Sequence, residues 1–452
     1  MYLIKRYWSN KLSINIEKNI SYSFMKYIRP IWYFHLKPHD SENSVWSQYK
    51  QLSKKGKELI KYDEDYSNLV LSNWDASFQA LMRGLIKHVG NDIPSDNIEL
   101  IPADIYRFMR KYYGKIWLYA TFFQRLINLY NPIYELVGLL ETRHVKRINL
   151  FEKHYVYKDY FNFESELKML KPLVNIIIPT LNRYEALNNL LLDLEKQTYT
   201  NFELIVIDQS NPFQDKFYNR FSLRCHIIRQ EDPALWKARN QGIKFAKSNY
   251  ILFLDDDSRV APNLVSEHLK CLDYFQADIS SGISISSVGA KVPENYSFFR
   301  WSDQLDTGNV LIKKEVFKKC GLFDEQFEKM RMGDGEFGVR AYLNGFKNIS
   351  NPKASRIHLK IVKGGLREMG YWDAFHPTNI FAPRPIPSVF YLWRKYWGNK
   401  TALLSCIITL PFTLVPYRFK SRIEGSIISG CIFILFFPII IIQASYSWIK
   451  ST

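Results

Sequence analysis

Four short apolar runs constrain what this chain can fold into. Val174–Ile178 (VNIII), Phe202–Asp208 (FELIVID), His226–Arg229 and Tyr250–Leu254 (YILFL) each have the length of a strand. Helical patterns separate them: Glu185–Gln197 has a leucine face, and Leu235–Ala246 follows the third run. Strands apolar on both sides and alternating with helices read as a parallel sheet covered on both faces. The expected class is α/β with a mostly parallel central sheet. In such sheets ligands bind beyond the carboxyl ends of the strands, where strand order reverses. No GxGxxG follows the first run, which argues against a dinucleotide fold.

Polar residues collect at those ends. Pro179, Thr180, Asn182 and Arg183 follow the first run, Asp208, Gln209 and Ser210 close the second, and Asp255, Asp256 and Asp257 close the fourth. Carboxylates at i and i+2 of an extended segment project to one side, so Asp255 and Asp257 can serve one site while Asp256 points elsewhere. Three adjacent carboxylates repel one another unless a cation is near. Hard oxygen ligands favour Mg2+ or Mn2+, which often bridge to a diphosphate. The bland alternative is a solvated acidic turn, and the apolar strand before it argues against that.

In order and spacing, IIIPTLNR (176–183), VIDQS (206–210), ARNQG (238–242), FLDDD (253–257), TGN (307–309), GLFDEQF (321–327) and GDGEFGVRAYLNGF (333–346) resemble the family-2 glycosyltransferases of GT-A fold, in particular the membrane-associated bacterial type. The likeness extends over residues 173–385. It implies inverting transfer of a sugar from a nucleotide-diphosphate donor, with a divalent metal, Mn2+ or Mg2+. It also implies that Thr180, Asn182 and Asp208 lie around the base and ribose, that Asp255 faces the ribose, that Arg239 lies near the nucleotide, and that Pro179, Arg183 and Asp256 help bind the donor. Asp257 would hold the metal with help from His358, and Asp334 would be the catalytic base. Glu336 is a weaker candidate for the acceptor. Two positions depart from the family pattern: its paired acids read Asp208-Gln209 here, and its Glu-Asp before the base helix reads Gly333-Asp334. Lys363, Gly364, Gly365 and Arg367 form a basic loop that is either a phosphate lid or simply solvated.

The chemistry asks for the same roles. Displacement at an anomeric carbon needs a base on the acceptor side and positive charge on the diphosphate side. Asp334 also has a purely structural role open to it, as the cap of a helix.

Charge and hydropathy point to a membrane. Lys and Arg number 61 against 44 acids, a formal charge of +17. No nucleic-acid motif accompanies this excess. Residues 384–423 carry seven Lys or Arg and no acid, and they adjoin Gly425–Ile449, which is 25 residues without a charge. Read as one helix, that run is long enough to cross a bilayer. A second uncharged run, Thr401–Tyr417, contains Pro411 and Pro416. Arg418, Lys420 and Arg422 lie between the two, and a simple hairpin would carry them outside. The expectation is membrane attachment with the catalytic domain cytoplasmic and the number of crossings open. The five cysteines form no CxxC pair and read as reduced thiols. The amino terminus has no signal-peptide pattern.

Three regions are expected: 1–170, helical and aromatic-rich; 171–385, catalytic; and 386–452, basic, apolar and membrane-associating. The first has helices at Ala76–His88 and Ile105–Leu129, its aromatics reading as core. The expected partners are a nucleotide-sugar donor, a lipid-linked saccharide acceptor in surface polysaccharide or glycolipid synthesis, and membrane lipids, with no nucleic acid. A processive synthase is disfavoured because Arg300-Trp301 precedes Asp334 and Ser297 stands where the QxxRW motif needs Gln. A non-catalytic membrane scaffold that keeps the fold is the other alternative, and the intact Asp255, Asp257 and Asp334 argue against it.

Overall fold

The computed structural model describes residues 22–39, 44–86, 98, 100–287, 289, 292–361, 364–365, 374–377, 379–414 and 423–451. The chain forms two compact units, Met1–Tyr155 with Trp393–Phe412, and Val156–Leu392 with Thr413–Thr452.

The first unit is helical. α1 (Leu69–Met82), α2 (Pro102–Tyr112), α3 (Lys115–Ile127) and α4 (Pro132–Glu141) are its longer helices before residue 155. The pattern over 105–129 reads as one helix but forms two. The break falls at Tyr113 and Gly114, both extended, because glycine adds about 1 kcal/mol to the cost of continuing a helix. The expected helix 76–88 starts earlier, at Leu69, and ends at Met82; residues 87 and 88 lie outside the described set. Tyr22, Phe24, Trp46, Phe78 and Phe108 form an aromatic core, with Tyr22 stacked on Trp46 at 4.8 Å. Beside it lies Asp75, fully buried. Its Oδ1 accepts from Tyr66 and Tyr112 at 3.0 and 2.8 Å, and its Oδ2 from Lys111 Nζ at 2.5 Å.

The second unit is the expected α/β class. Its strands are β1 (Val174–Thr180), β2 (Phe202–Asp208), β3 (Cys225–Arg229), β4 (Tyr250–Leu254), β5 (Ser258–Val260), β6 (Ile279–Ser286), β7 (Arg300–Trp301), β8 (Asn309–Lys313) and β9 (Asn348–His358). They form one sheet in the order β3-β2-β1-β4-β8-β6-β9-β5, with β7 on β9. β1 to β4 are mutually parallel, and β8 runs antiparallel to β4. Every residue of β1 is buried, as a strand covered on both faces requires.

Helices α5 (Tyr184–Glu195), α6 (Leu235–Phe245) and α7 (Leu264–Phe275) follow β1, β3 and β5. α6 lies close on the sheet: a Cβ at Gly242 would come within 2.7 Å of Ile177. Later come α8 (Lys314–Cys320) and α9 (Gly333–Leu343); α10 (Pro387–Thr413), interrupted at Gly398, begins in this unit, and its Trp393–Phe412 part belongs to the first. The unit begins at Val156, ahead of the expected 171, because the short segments before β1 are tied to α7. Tyr160 Oη donates to Glu267 at 3.0 Å and Ser165 Oγ to Asp273 at 2.6 Å.

The carboxyl-terminal apolar run is not one long helix. α11 (Ile423–Leu435) and α12 (Phe437–Lys450) meet at a 78° bend. Phe436 leaves helical geometry, and Pro438, at the start of α12, has no N–H to extend α11. No single described helix is long and apolar enough to cross a membrane, although this bent pair meets the length and composition needed. Nor is α12 a detached tail: Gln443 is buried and donates to Ile380 O at 2.9 Å, and Trp448 packs edge-on to Phe390. Of the run 401–417, residues through Thr413 are helical; 415–422, with Arg418, Lys420 and Arg422, lie outside the described residues.

Lys111→Met tests the buried network. It leaves the Asp75 carboxylate without its cation, which should cost about 3–5 kcal/mol in urea unfolding at pH 7. The cost should shrink as pH falls, because burial raises the Asp75 pKa and a protonated Asp75 needs no counter-charge.

Candidate active site

The carboxyl ends of β1, β2 and β4 bring most of the expected residues to one edge of the sheet. Between β1 and β4 the order turns from strands added on one side to strands added on the other, which is where an open α/β sheet leaves a crevice.

Asp255, just past β4, is the centre of the cluster. Arg239 Nη2 donates to its Oδ1 at 2.9 Å from α6, and Arg356 Nη1 donates to its Oδ2 at 2.9 Å from β9. Burial pushes the Asp255 carboxyl upward, but Arg356 and Arg239 outweigh it and hold the group well below the ordinary carboxylate range. Arg356 also donates to Ser258 Oγ at 2.9 Å and Ser284 Oγ at 2.7 Å, and pairs with Asp306 at 3.3 Å. Burial raises Asp306 as well, and Arg356 reverses the shift. Neither Arg356 nor Asp306 was expected from the sequence. The signal was present: Arg356 stands two residues before His358 on β9, hence on the same face of the strand. Gly308 makes the arrangement possible, since a Cβ there would lie 2.0 Å from the Arg356 guanidinium and 2.3 Å from the Asp255 carboxylate.

Asp256 points away from Asp255, into the protein. It accepts from Thr180 Oγ1 at 2.8 Å and from Arg183 Nη1 at 3.4 Å. Its burial is strong enough to raise its pKa to about 7 despite Arg183, and the neighbouring Asp257 adds to the rise. Asp257 is buried as well, with His358 Nε2 3.2 Å and Arg183 Nη1 3.3 Å from its Oδ2. Arg183 further donates to Ile361 O at 2.9 Å, and Gly365 N–H donates to Leu181 O at 2.8 Å. The loop after β9 is therefore laid against the loop after β1. Lys363 and Arg367 of that loop lie outside the described residues.

A carboxylate oxygen beside an imidazole nitrogen is a donor pair that a transition ion such as Mn2+ accepts more readily than Mg2+, which prefers oxygen alone. Among the described residues no group of three acidic, His or Cys side chains is placed to hold a metal. Asp257 and His358 fit a divalent ion only if a substrate diphosphate and water supply the remaining ligands.

Asp208 behaves differently from the expectation of a base- or ribose-facing group. It is fully buried, its Oδ2 accepting from Tyr184 and Tyr218 at 2.8 and 2.6 Å and its Oδ1 from Ser210 N–H at 2.8 Å. Its neighbour Gln209 accepts from Ala234 N–H at 2.7 Å and Gln230 at 2.9 Å. Asn182 is exposed, with positive φ, and accepts from Asn211 N–H at 2.9 Å; Pro179 is buried within β1.

Asp334 is half-buried in the first turn of α9 and accepts from Gly335 N–H at 2.8 Å. Arg239 lies within the electrostatic reach of Asp255, Asp334 and Asp306 together. Burial, aided by Asp306, raises the Asp334 pKa to about 6, with Gly335 N–H, Arg239 and Arg331 opposing. Glu336 does not present itself to an acceptor: it is fully buried and pairs with Arg340 at 2.7 Å, one helical turn on. Trp236, which sequence reading also missed, lies 4.9 Å from the Arg239 guanidinium and donates to Phe327 O at 3.0 Å, fixing α6 against the segment before α9.

Residues 175–321 match the model of glycosyl transferase family 2. Among curated relatives, a glycosyltransferase of Streptococcus pneumoniae serotype 4 is 27% identical over 166 residues, 35% of this chain and 22% of that protein. A PGL/p-HBAD biosynthesis glycosyltransferase of Mycobacterium bovis is 24% identical over 225 residues, 45% of this chain and 79% of that protein. Among solved structures, the mannosyltransferase of Pyrobaculum calidifontis with GDP-Man and Mn2+ aligns at a TM-score of 0.40 and 14% identity, over 65% of this chain and 90% of that one.

Gly308→Ala tests the geometry. The added methyl group must displace Arg356 and Asp255, whose ion pair stands at the carboxyl end of β4. A shift near 1 Å at a reacting site costs about 10²-fold in kcat/KM, so a loss of that size is expected, with an unchanged far-ultraviolet circular dichroism spectrum.

Proposed function

We propose that the protein, whose residues 175–321 match the model of glycosyl transferase family 2, is an inverting glycosyltransferase that uses a nucleotide-diphosphate sugar. One observation carries the reading: a partly exposed, ionised Asp255 held between two guanidinium groups, beside the buried Asp257–His358 pair, with Asp334 near the same arginine.

In the proposed reaction an acceptor hydroxyl attacks the anomeric carbon from the side of Asp334. Asp334 takes the hydroxyl proton as the new C–O bond forms, and the bond to the β-phosphate oxygen breaks on the opposite side. The departing diphosphate gains negative charge, which Arg183 and Arg239 are placed to offset. Asp257 and His358 are the residues that would hold a divalent ion, which when bound supplies further positive charge to the diphosphate. Asp255 orients Arg239 and is itself kept ionised by Arg356. The buried Thr180–Asp256–Arg183 bonds fix the β1 end against the β4 end, so the donor meets a site that is already built.

The acceptor is proposed to be lipid-linked, and the protein to work at a membrane with its catalytic unit on the cytoplasmic side. The +17 charge and the uncharged run 425–449 support that placement. The proposed product is a precursor of a surface polysaccharide or glycolipid.

Release of nucleoside diphosphate from a panel of UDP, GDP and dTDP sugars tests the activity. One donor class should turn over, and Asp257→Ala or chelation should abolish that turnover; full activity after either would remove Asp257 from a metal role. Asp334→Asn should keep donor affinity and reduce kcat by about 10²- to 10⁴-fold.

The pH dependence has a definite sign. A base must be deprotonated, so wild-type kcat/KM should fall below about pH 6, where Asp334 takes up its proton. Stability runs the other way. A carboxyl whose pKa is raised by folding favours the folded state at low pH and loses that contribution as pH rises through about 6. Asp334→Asn should therefore melt higher than wild type at pH 8. A lower melting temperature would show that the carboxylate is a structural group.

A further inference from the structure

The helical unit turns an apolar surface outward. α3 and α4 form a hairpin whose inner side packs on α2 through Leu118, Phe122 and Leu139. On the outer side, Tyr119, Phe123 and Ile127 follow one another at single turns of α3, the last 79% exposed. Ile133, Leu136 and Leu140 do the same on α4, with Ile133 at 73%. A soluble helix presents polar residues to water and apolar ones to the core. Here both sides are apolar, and soluble monomers rarely leave contiguous apolar patches of more than a few hundred Å2 uncovered.

Charge sharpens the contrast. From Ile116 to Leu140 the chain carries two charged side chains, Arg125 and Glu135. Both face inward. Arg125 Nε and Nη2 donate to the two Glu135 oxygens at 2.8 Å each, with the side chains 6% and 1% exposed. Two ions that water would solvate freely are instead paired inside the unit, and the outer side is left without charge. Positive charge returns at the borders: Lys115 at the start of α3, and Arg143, Lys146 and Arg147 after α4, are exposed, with Glu141 the one acid among them. An apolar side bearing tyrosines and rimmed by basic residues is the pattern of a surface lying in the headgroup region of a bilayer. α3 and α4 have 13 and 10 residues. At 1.5 Å per residue they are about 20 and 15 Å long, too short to cross a hydrocarbon core of about 30 Å.

We propose that the α3–α4 hairpin is a membrane-docking surface that lies flat in the interface of an anionic bilayer, its apolar side in the acyl boundary and its basic borders at the headgroups. The proposal goes beyond the transferase reading and does not involve the carboxyl-terminal run, so either can fail without the other.

The test uses the full-length chain with an environment-sensitive fluorophore at Ile127→Cys, in a Cys431→Ser background so that the exposed native thiol is not labelled. Phosphatidylglycerol-containing vesicles should shift the emission to the blue, and quenchers attached near the headgroups should reduce it. Pure phosphatidylcholine vesicles should act roughly tenfold more weakly, because they lack the charge that the basic borders meet. Adding Phe123→Glu and Ile133→Glu, both at exposed positions, should abolish the shift even if the chain still sediments with vesicles through another segment. Absence of any shift with anionic vesicles would overturn the proposal. A shift that appears without vesicles and grows with protein concentration would also overturn it, assigning the surface to a second copy of the chain.

Discussion

The arrangement of the site rests on the two guanidinium groups that flank Asp255. Asp255 is only partly exposed, and the loss of water around its carboxylate drives it towards the neutral form. Arg239 and Arg356 reverse that tendency and come from opposite parts of the unit, α6 on one side and β9 on the other. Their pairing with one residue at the end of β4 sets where α6 and β9 stand relative to the crevice. Arg356 then binds Asp306, Ser258 and Ser284, which brings the loop before β8 and the strands β5 and β6 into the same network. Asp257, His358 and Asp334 acquire their surroundings from this framework.

The catalytic unit was legible in the sequence where local pattern and tertiary role agree. Apolar runs of strand length gave β1, β2, β3 and β4, and acids at a strand end gave the position of the cluster. What escaped was partnership across the fold. Nothing in the pattern around Arg356 says that it reaches Asp255, 101 residues away. Asp208 looks like a ligand group in one dimension; in three dimensions Tyr184, Tyr218 and the Ser210 amide use its carboxylate inside the protein. Glu336 was misread in the same way, because its partner Arg340 lies on the same helix and satisfies it there.

The apolar surface features show the opposite failure. Composition drew attention to residues 425–449, yet Pro438 and the non-helical Phe436 break that run by 78°. The α3–α4 hairpin drew none, since its aromatic and aliphatic residues read as core. The pairing of Arg125 with Glu135 and the packing of Leu118, Phe122 and Leu139 on α2 reveal which side of it faces inward. Periodicity identifies an apolar side of a helix; it does not say whether protein or lipid covers it.

The central claim, that the crevice at the carboxyl ends of β1 and β4 is built for a nucleoside diphosphate, is tested most directly by calorimetric titration of the purified chain with UDP, GDP and dTDP, with Mn2+ present and with chelator. The account predicts saturable one-to-one binding of one of the three, weakened when the metal is removed and lost when Asp255 and Asp257 are both replaced by Asn. Failure of all three to bind, or binding that survives the double replacement unchanged, would contradict it.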